Sequence, residues 1–594
     1  MRVSSTRRTA AIRSSILALG ALLLGVAFAS AQTGRFYTVT PCRVVDTRNP
    51  AGPWGGPALA ANTERRFTVV GQCGIPTNAG AVAVNVSATG ATTGGNFRVY
   101  PAGVPLPMSA TVNYSAGQTR SNNGTYELGG GQLAVYCTQG SGSAHLILDV
   151  FGWFEDTPPP TGGGSQIWVR RMTGPTAFDN AYVNSVAVDG QGNAVVAGYF
   201  ERSVDFGGGT LTSAGATDVF VAKFSSSGGH VWSRRFGGVN DDVAEGVSFD
   251  GAGDVVVAGY FSGSADFGGG ALTSAGGTDV FVAKYSSNGA PSWSRRFGST
   301  GTDRGLAVDV DGSGNYVFAG YMVGTVDFGG GALTSAGAAD VFLVKYSPAG
   351  GHIWSKRFGG SSSDVALAVS VDAGGDIALT GYFQGTSNFG GQNLTSAGAN
   401  DAFLARYDMN GREVWSKRFG SSSDDRGTSV AIDGQGAVIA TGSFLGTVDF
   451  GGGAIANAGG ADIYLAKYSS NGTYSWVRTF GTSASVGEMA NAVAVDGGNN
   501  VLLTGAIVNT VDFGGGGLQT NGTYDVFIAK FRSDGLHAWS KRYGALYDDH
   551  GWSITADAAG NVIAAGDFIQ SINFGGGTLV NDGGADSWIA KLTP

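Results

Sequence analysis

One tryptophan-containing phrase recurs seven times along this chain, and it limits the fold more than any other feature. The phrase reads W-x-[RK]-[RT] and returns at intervals of 61 to 64 residues, together with two phrases that begin with aspartate. Seven copies of one unit predict a repeat architecture over residues 166–594. The tryptophans are Trp168, Trp232, Trp293, Trp354, Trp415, Trp476 and Trp539; the first aspartates are Asp189, Asp250, Asp311, Asp372, Asp433, Asp496 and Asp557; the second are Asp218, Asp279, Asp340, Asp401, Asp462, Asp525 and Asp586.

Each repeat contains four segments with the character of β-strands. In the second repeat these are GVSFD, DVVVAGYF, DVFVAKY and WSRRFG, with a glycine-rich loop between the second and the third. Apolar residues alternate with small or polar ones, which is typical of half-buried antiparallel strands. Four-stranded sheets repeated around an axis form a β-propeller, so we predict an all-β, closed seven-bladed propeller. A linear β-solenoid is the competing architecture, but it uses shorter rungs and dedicated caps.

The ends of the repeat array predict how the ring closes. The seventh repeat lacks its tryptophan strand, whereas the first repeat begins with an additional one at residues 166–172. We expect this early strand to complete blade seven, because closure removes sheet edges that would otherwise pair with other chains.

Glycine is abundant for a reason that the repeat explains. The chain has 102 glycines and 15 prolines in 594 residues, but no G-X-Y period, which excludes collagen. We assign the glycines to hairpin turns, because glycine adopts positive φ without steric cost.

The first part of the chain predicts export and a second, smaller domain. Basic residues precede an apolar run over residues 16–28 and the small residues Ala29-Ser30-Ala31, the pattern of a signal peptide (residues 1–31) cleaved after Ala31. Residues 32–154 contain short apolar runs between turn residues and predict a β-sandwich, and residues 155–165, EDTPPPTGGGS, predict a linker. We therefore expect a secreted or cell-surface monomer with no membrane span in the mature chain.

Charge and cysteine content exclude several kinds of partner. The chain carries 36 Lys and Arg against 45 Asp and Glu, a net charge of −9, which disfavours nucleic acid. Cys42, Cys73 and Cys137 form no C-x-x-C motif or cysteine–histidine cluster that would indicate zinc or iron–sulfur binding. In an oxidising compartment we expect two of the three to pair.

Residues 166–594 resemble the seven-bladed β-propeller repeat family often called SBBP, which occurs in exported bacterial proteins. The resemblance is carried by V-D-x-x-G-[ND]-x-x-x-x-[AT]-G-Y-F and D-[VA]-F-[VL]-[AV]-K-Y-S-x-x-G. The resemblance implies a propeller fold but does not indicate an activity. The phrases PCRVVDTRNPAGPWGGPAL, CGIP and LDVFGWF resemble an N-terminal domain of exported bacterial proteins that has no assigned activity, and this resemblance implies a Cys42–Cys73 disulfide.

The tryptophan strand carries two cations, and the two-residue period of a β-strand places them on opposite faces. Trp232 and Arg234 lie on one face, and Arg235 lies on the other. Such a cation either stacks on an aromatic ring or pairs with an aspartate of a neighbouring strand. A basic stripe for carbohydrate or nucleic acid is the alternative.

The acidic loops that precede each first strand are the best candidates for a binding patch. We expect them to share one rim of the ring with the FGGG loops, and blade seven is the most irregular there. We predict no cofactor. The acidic residues favour loop capping over Ca²⁺ binding. Residues 309–315 imitate an EF-hand loop but have Gly320 where a bidentate Glu is needed. The candidate rim patch consists of Asp241, Asp242, Asp424, Asp425, Asp548, Asp549, His550 and Trp552.

The catalytic templates do not favour an enzyme. The chain has no G-x-S-x-G elbow and no H-E-x-x-H motif. We predict an exported, non-enzymatic binding or scaffold protein whose rim loops engage a protein or a polysaccharide. The alternatives are a propeller-type glycoside hydrolase or polysaccharide lyase, which needs only two carboxylates, and a structural surface-layer component.

Overall fold

The computed structural model describes residues 36–76, 79–104, 106–129, 131–155, 163–174, 176, 179–581 and 584–594. The chain divides into two compact units, residues 1–160 and 161–594. The predicted signal peptide and most of the predicted linker lie outside the described residues. Within the described residues all regular secondary structure is β, and no helix has the length and apolarity needed to cross a membrane.

The first compact unit consists of two antiparallel sheets around one core. One sheet has the order β1-β9-β4-β7, with β2 also paired to β9, and the other has the order β3-β8-β5-β6. Their buried faces share a single cluster that includes Val82, Phe97 and Leu148. The strands are β1 (Phe36–Asp46), β2 (Leu59–Ala60), β3 (Thr63–Thr68), β4 (Ala79–Thr89), β5 (Gly95–Pro101), β6 (Val112–Tyr114), β7 (Arg120–Glu127), β8 (Gln132–Gln139) and β9 (Ser143–Glu155).

The cysteines of this unit have distinct states. Cys42 and Cys73 form a disulfide, the pairing that the resemblance implies. Cys137 is a free thiol with no exposed surface, and Tyr114 Oη lies 3.3 Å from its sulfur. Burial raises the pKa of the Cys137 thiol, which keeps it protonated and unreactive.

The second compact unit contains the repeats, which we number as repeat units 1 to 7. Repeat unit 1 consists of β11 (Asn180–Val188), β12 (Ala194–Asp205), β13 (Thr210–Phe224) and β14 (His230–Gly238); unit 2 of β15 (Asp242–Phe249), β16 (Val255–Asp266), β17 (Ala271–Tyr285) and β18 (Pro291–Phe297). Unit 3 consists of β19 (Arg304–Val310), β20 (Tyr316–Met322), β21 (Thr325–Asp327), β22 (Ala332–Thr334), β23 (Asp340–Tyr346) and β24 (His352–Gly360). Unit 4 consists of β25 (Asp364–Val371), β26 (Ile377–Phe383), β27 (Thr386–Asn388), β28 (Asn393–Thr395), β29 (Asp401–Tyr407) and β30 (Glu413–Phe419).

The remaining repeat units follow the same plan. Unit 5 consists of β31 (Arg426–Ile432), β32 (Val438–Phe444), β33 (Thr447–Asp449), β34 (Ala454–Ala456), β35 (Asp462–Tyr468) and β36 (Tyr474–Phe480). Unit 6 consists of β37 (Met489–Val495), β38 (Val501–Ile507), β39 (Thr510–Asp512), β40 (Gly517–Gln519), β41 (Asp525–Phe531) and β42 (His537–Tyr543). Unit 7 consists of β43 (His550–Ala556), β44 (Val562–Phe568), β45 (Ser571–Asn573), β46 (Thr578–Val580) and β47 (Asp586–Leu592), to which β10 (Gln166–Met172) is added.

Four long strands pair in sequence order within each repeat unit. In unit 2, β15 pairs with β16, β16 with β17 and β17 with β18, all antiparallel. We call these the first, second, third and fourth strands. The additional short strands of units 3 to 7 form a hairpin between the second and third strands, and the long strands of units 1 and 2 include the same hairpin.

The fourth strand of unit 7 comes from the beginning of the repeat region. β10 pairs antiparallel with β47, with Val169 opposite Ala590. The first strand of each unit contacts that of the next, and β43 of unit 7 contacts β11 of unit 1. Val186 N donates a hydrogen bond of 3.0 Å to Ser553 Oγ across this last contact. The pairing agrees with the predicted role of residues 166–172.

The second and third strands are more buried than the alternating sequence predicted. Every residue of β23 is buried, and the same holds for β29, β35, β41 and β47. The physical reason is that both faces of these strands meet neighbouring sheets. Thus Val195 and Val221 of unit 1 pack in one core cluster with Val257 and Phe281 of unit 2. Each fully buried side chain of this kind contributes about 1.5–3 kcal/mol of hydrophobic stabilisation.

Candidate functional site

The repeated turn aspartates are structural. In unit 2, Asp250 Oδ1 accepts hydrogen bonds of 3.0 Å from the backbone N–H groups of Ala252 and Asp254, which confirms the predicted turn cap. Its Oδ2 lies 2.8 Å from Nζ of Lys284 on the third strand. Burial opposes ionisation, but these bonds outweigh it and lower the pKa of Asp250. Equivalent ion pairs are Asp189–Lys223, Asp311–Lys345, Asp433–Lys467, Asp496–Lys530 and Asp557–Lys591, and Arg406 pairs with Asp372 and Asp376.

The two cations of the tryptophan strand take the two predicted roles separately. In units 2, 4 and 5 the first cation lies over an aromatic ring, as for Arg295 at 5.9 Å from the Trp293 ring centroid. The second pairs with the buried aspartate that begins the third strand, as for Arg296 and Asp279 at 2.5 Å. Equivalent pairs are Arg235–Asp218, Arg357–Asp340, Arg418–Asp401, Arg542–Asp525 and Arg171–Asp586.

Unit 5 lacks this second pair. Thr479 occupies the position of the second cation, next to Tyr464 in the register of β35 and β36. Asp462, the equivalent third-strand acid, has a buried Oδ1 without a hydrogen-bond partner, and burial raises its pKa. Among the described residues the equivalent Oδ1 also has no partner in units 1, 2, 3, 4 and 6, so unit 5 differs from them only in the missing arginine.

The second acid of each predicted acidic loop is buried and caps the loop. Asp303 Oδ2 accepts a hydrogen bond of 2.7 Å from Ser299 N, and its Oδ1 accepts one of 2.7 Å from Val323 N. These bonds use the lone pairs that a ligand or a cation would need. Asp242, Asp425 and Asp549 of the predicted patch occupy the same position, as do Asp179, Asp364 and Glu488.

The first acid of each of these loops accepts a hydrogen bond from a residue near the start of a third strand. Thr217 Oγ1 donates to Asp241 Oδ1 at 3.1 Å. Asn400 Nδ2 donates to Asp424, and Thr523 Oγ1 donates to Asp548. Asp424 also pairs with Arg426 at 2.9 Å. The predicted patch is thus spread over several repeat units and consists largely of loop contacts.

The FGGG turns do not share the rim of the acidic loops, so this expectation was wrong. A Cβ placed on Gly208 would lie 2.1 Å from Cε1 of His230, and one on Gly330 would lie 2.2 Å from Cε1 of His352. Both histidines begin the fourth strand. The hairpin between the second and third strands is long enough to fold back along the sheet, which carries its tip away from the acidic loops.

A bulge in each first strand positions a different set of side chains. In unit 2 the register of β15 and β16 shifts between Ala244 and Gly246, which leaves Glu245 unpaired in the ladder. The opposite residue is Gly259, where a Cβ would lie 2.0 Å from the carbonyl oxygen of Val243. This glycine serves close backbone approach rather than a turn with positive φ. Burial and the nearby charge of Glu245 raise the pKa of Tyr260, the residue that follows the glycine.

The residue after this glycine varies among the repeat units, unlike the structural positions. It is opposite the first-strand residue that precedes the bulge, and directly opposed residues share a face of the sheet. The register pairs are Tyr182–Tyr199, Val243–Tyr260, Arg304–Tyr321, Val365–Tyr382, Arg426–Ser443, Met489–Ala506 and His550–Asp567. We call the aromatic and ionisable members, together with Glu245 and Trp552 at the bulges, the first-strand cluster: Tyr182, Tyr199, Glu245, Tyr260, Arg304, Tyr321, Tyr382, Arg426, His550, Trp552 and Asp567.

Contacts between repeat units join these side chains. The Arg304 guanidinium carbon lies 4.2 Å from the ring centroid of Tyr260 in unit 2, and that of Arg426 lies 4.8 Å from the ring of Tyr382 in unit 4. Tyr182 and Tyr199 stack at 5.0 Å. These cation–π contacts and stacks hold large flat surfaces at one end of the first strands.

Unit 7 contributes the part of the cluster that the sequence predicted. The rings of His550 and Trp552 stack at 5.2 Å. Asp567 accepts a hydrogen bond from Trp552 Nε1 and lies 3.3 Å from His550 Nδ1. Burial opposes the charged imidazole, but Asp567 together with Asp548 and Asp549 outweighs it and raises the pKa of His550.

Glu245 and Arg304 define the electrostatics of the cluster. Burial raises the pKa of Glu245 to about 7, against the effect of the Arg304 charge. Glu245 Oε2 accepts a hydrogen bond of 3.1 Å from Asn184 Nδ2. Burial and the charges of Tyr182, Glu245, Tyr260 and Asp567 together raise the pKa of Tyr199. The cluster is therefore continuous across units 7, 1, 2 and 3.

The described residues contain no group of three histidine, cysteine, aspartate or glutamate side chains placed to hold a metal ion. The EF-hand-like segment is built into the fold: Asp309 Oδ2 accepts a hydrogen bond of 2.8 Å from Val371 N, and Asp311 caps its own turn.

Sequence reasoning missed most of the first-strand cluster. It identified His550 and Trp552 as irregular but overlooked Glu245, Arg304 and Asp567. The available signal was the position after the glycine of the second strand, which reads Tyr in units 1 to 4 and then Ser443, Ala506 and Asp567. Variation at one position of a strict repeat marks a place that the fold does not need to keep constant.

Comparisons with known proteins support a propeller repeat fold without identifying a family. No family model matches the chain. The chain is 24% identical over 343 residues to an uncharacterized WD repeat-containing protein of Acanthamoeba polyphaga mimivirus, covering 44% of this chain and 24% of that protein. It is 27% identical over 142 residues to the regulatory protein FlaEY of Caulobacter vibrioides, covering 23% of this chain and 15% of that protein. The matches thus span about a quarter or less of these relatives.

Two solved structures are distant neighbours. YCF48 bound to a peptide has a TM-score of 0.34 at 9% identity, covering 74% of this chain and 100% of that one. A mutant apocarotenoid oxygenase of Synechocystis has a TM-score of 0.32 at 10% identity, covering 72% of this chain and 94% of that one.

Proposed function

We propose that this protein is an exported binding or scaffold protein without enzymatic activity, and that the first-strand cluster receives its partner, a protein or a polysaccharide. The observation that carries the proposal is the difference between the repeated charges and this cluster. Most of the repeated charges pair with one another within the fold, whereas the cluster gathers variable aromatic and charged side chains at one end of the first strands. Such surfaces suit recognition, because flat aromatic rings combine a large contact area with polar groups that fix orientation.

The scaffold in this proposal is a closed seven-bladed propeller of the SBBP type preceded by a β-sandwich domain. The contact between β43 and β11 and the pairing of β10 with β47 support closure. Similarity to a WD repeat-containing protein supports an interaction scaffold. A closed ring without exposed long edges also supports a monomer.

Export is proposed from the signal peptide. Mass spectrometry of the protein recovered from its producing cells should show a mature chain that begins at Gln32. An N-terminus that retains residues 1–31 would contradict export by this route.

Binding is tested with the full mature chain against a glycan array and a protein pull-down. We expect a ligand whose binding is lost when Tyr260 and Tyr321 are both replaced by alanine. Tyr136→Ala, in the first compact unit, is the matched control and should bind normally. A ligand that binds both variants equally would place the site elsewhere.

A glycoside hydrolase is the second candidate, and one observation favours it. Glu245 has a pKa of about 7 among aromatic rings, which is suitable for a general acid, and Asp567 of the same cluster is the candidate for the second carboxylate. Saccharide release by the mature chain that disappears in Glu245→Gln would establish this function in place of simple binding. Binding without release in both proteins would reject it.

A further inference from the structure

Arg304 differs from the other arginines of the repeats in its partners. The second-cation arginines face buried aspartates, and Arg426 pairs with Asp424 at 2.9 Å. Arg304 contacts the Tyr260 ring, and among the described residues its buried Nε has no hydrogen-bond partner. A guanidinium is always charged and offers five N–H donors, so a half-buried one without acceptors is poorly satisfied.

The acids beside Arg304 are occupied by other groups. Asp303 uses both carboxylate oxygens to accept backbone N–H groups of Ser299 and Val323. Glu245 accepts from Asn184, and its partial neutralisation by burial reduces the negative charge near the guanidinium. An external carboxylate can therefore provide the acceptor pair that the protein does not, in the bidentate geometry that arginine favours.

The rings around Arg304 indicate the chemistry of the rest of the ligand. Arg304 lies over the ring of Tyr260 in unit 2 and directly opposite Tyr321 in the ladder of unit 3, and both tyrosines are half-buried. A pyranose ring presents a flat face of C–H groups to an aromatic ring and hydroxyl groups to the phenols at its edge. Equivalent tyrosines in units 1 and 4 extend the same surface, which favours a chain of similar sugar rings over an acidic peptide.

We propose that Arg304, Tyr260 and Tyr321 form a subsite for a uronic acid residue of an acidic polysaccharide, with Arg304 binding its carboxylate. The inference rests on the proposed function, because it assigns a ligand class to the first-strand cluster.

The experiment is calorimetric titration of the full mature chain with hexameric oligogalacturonate, with the same oligomer after reduction of its carboxylates, and with oligoglutamate. Oligogalacturonate should bind, and its affinity should fall by about 30-fold in Arg304→Gln, since an anion loses its only cation there. Arg304→Lys should retain part of the affinity. The matched control Arg66→Gln lies outside the cluster, where Arg66 pairs with Glu64 at 2.7 Å, and should change the affinity by less than about twofold.

The outcomes separate the ligand class from the site. Any one of three results would overturn the inference. These are equal affinity for the reduced oligomer, no effect of Arg304→Gln in a variant that melts like the parent, and tighter binding of oligoglutamate. Failure of oligogalacturonate, with another ligand still lost in the Tyr260 and Tyr321 double variant, would overturn only the uronate assignment. If that double variant keeps every ligand found, the proposed function fails as well.

Discussion

The repeat region has two sets of charged residues that behave in opposite ways. The ion-paired shell consists of the turn aspartates with their third-strand cations and the third-strand aspartates with their fourth-strand arginines. It is nearly identical in every unit, and its members face partners at 2.5 to 3.5 Å, or closer in unit 3. The first-strand cluster changes from unit to unit, and its most central cation, Arg304, has a ring as its contact.

The contrast separates residues that the fold requires from residues that are available for binding. A residue that recurs in all copies is needed by each copy for its own sheet or for its neighbour. A position that varies while the residues around it repeat is not needed to form the sheet or to pack against its neighbour. The shell therefore explains stability, and the cluster is the part of the molecule that a ligand can use.

Removing the closing strand should have the largest effect. Arg171 of β10 supplies the shell arginine of unit 7 by pairing with Asp586 at 2.7 Å. Deletion of residues 166–172 should abolish cooperative unfolding of the repeat region, a loss comparable with the ~5–15 kcal/mol of a whole domain. Calorimetry of the full chain measures this. Deleting the seven residues 156–162 is the control, and equal melting of the two deletions would refute the role of β10.

Exchanging shell residues between units should have an intermediate effect. Arg235→Thr copies unit 5 into unit 1 and leaves Asp218 buried without its cation, which should cost about 2 kcal/mol of unfolding free energy after allowance for the exposure of the arginine. Thr479→Arg in unit 5 should stabilise by up to about 1 kcal/mol. Urea denaturation measures both. A stabilising Arg235→Thr, or a destabilising Thr479→Arg that still folds, would argue against the shell as described.

The pH dependence of stability should distinguish the loop caps from the shell. Burial raises the pKa of Asp242 and of Asp549 to about 7, so the folded state holds protons that the unfolded state releases near pH 4. The unfolding free energy should therefore fall as pH rises from about 4 to 7. Asp250, whose pKa is lowered, contributes stability that is lost only as pH falls below its unfolded value.

Asp242→Asn should reduce the fall in melting temperature between pH 5 and pH 8, whereas Asp250→Asn should leave that fall unchanged. Thermal scans at the two pH values measure the difference. An unchanged pH profile in Asp242→Asn would show that this cap does not bind a proton in the folded state.

The smallest effect on stability is expected inside the cluster. Arg304→Gln removes a cation that has no ion-pair partner among the described residues, so the unfolding free energy should change by less than about 0.5 kcal/mol. A cost as large as that of Arg235→Thr would move Arg304 from the cluster to the shell.

The fold was more accessible from the sequence than the site was. Four strands per repeat and the strand at residues 166–172 followed from spacing alone, because a repeat of apolar runs and turns has few ways to pair. The candidate patch was read from acidic residues next to one another in the chain. Two members of that patch, His550 and Trp552, belong to the cluster, while Asp242, Asp425 and Asp549 turned out to be buried caps.

From the sequence alone came the all-β class, the sevenfold repeat, the turn caps and the two roles of the tryptophan-strand cations. These depend on residues a few positions apart or on directly neighbouring strands. Only the tertiary structure decided that Glu245 leaves its ladder at a bulge, that Arg304 reaches the ring of Tyr260 in the preceding unit, and that the FGGG tips fold back. These contacts join residues of different strands and different repeat units, and their side chains meet because whole sheets stack, which no local pattern records.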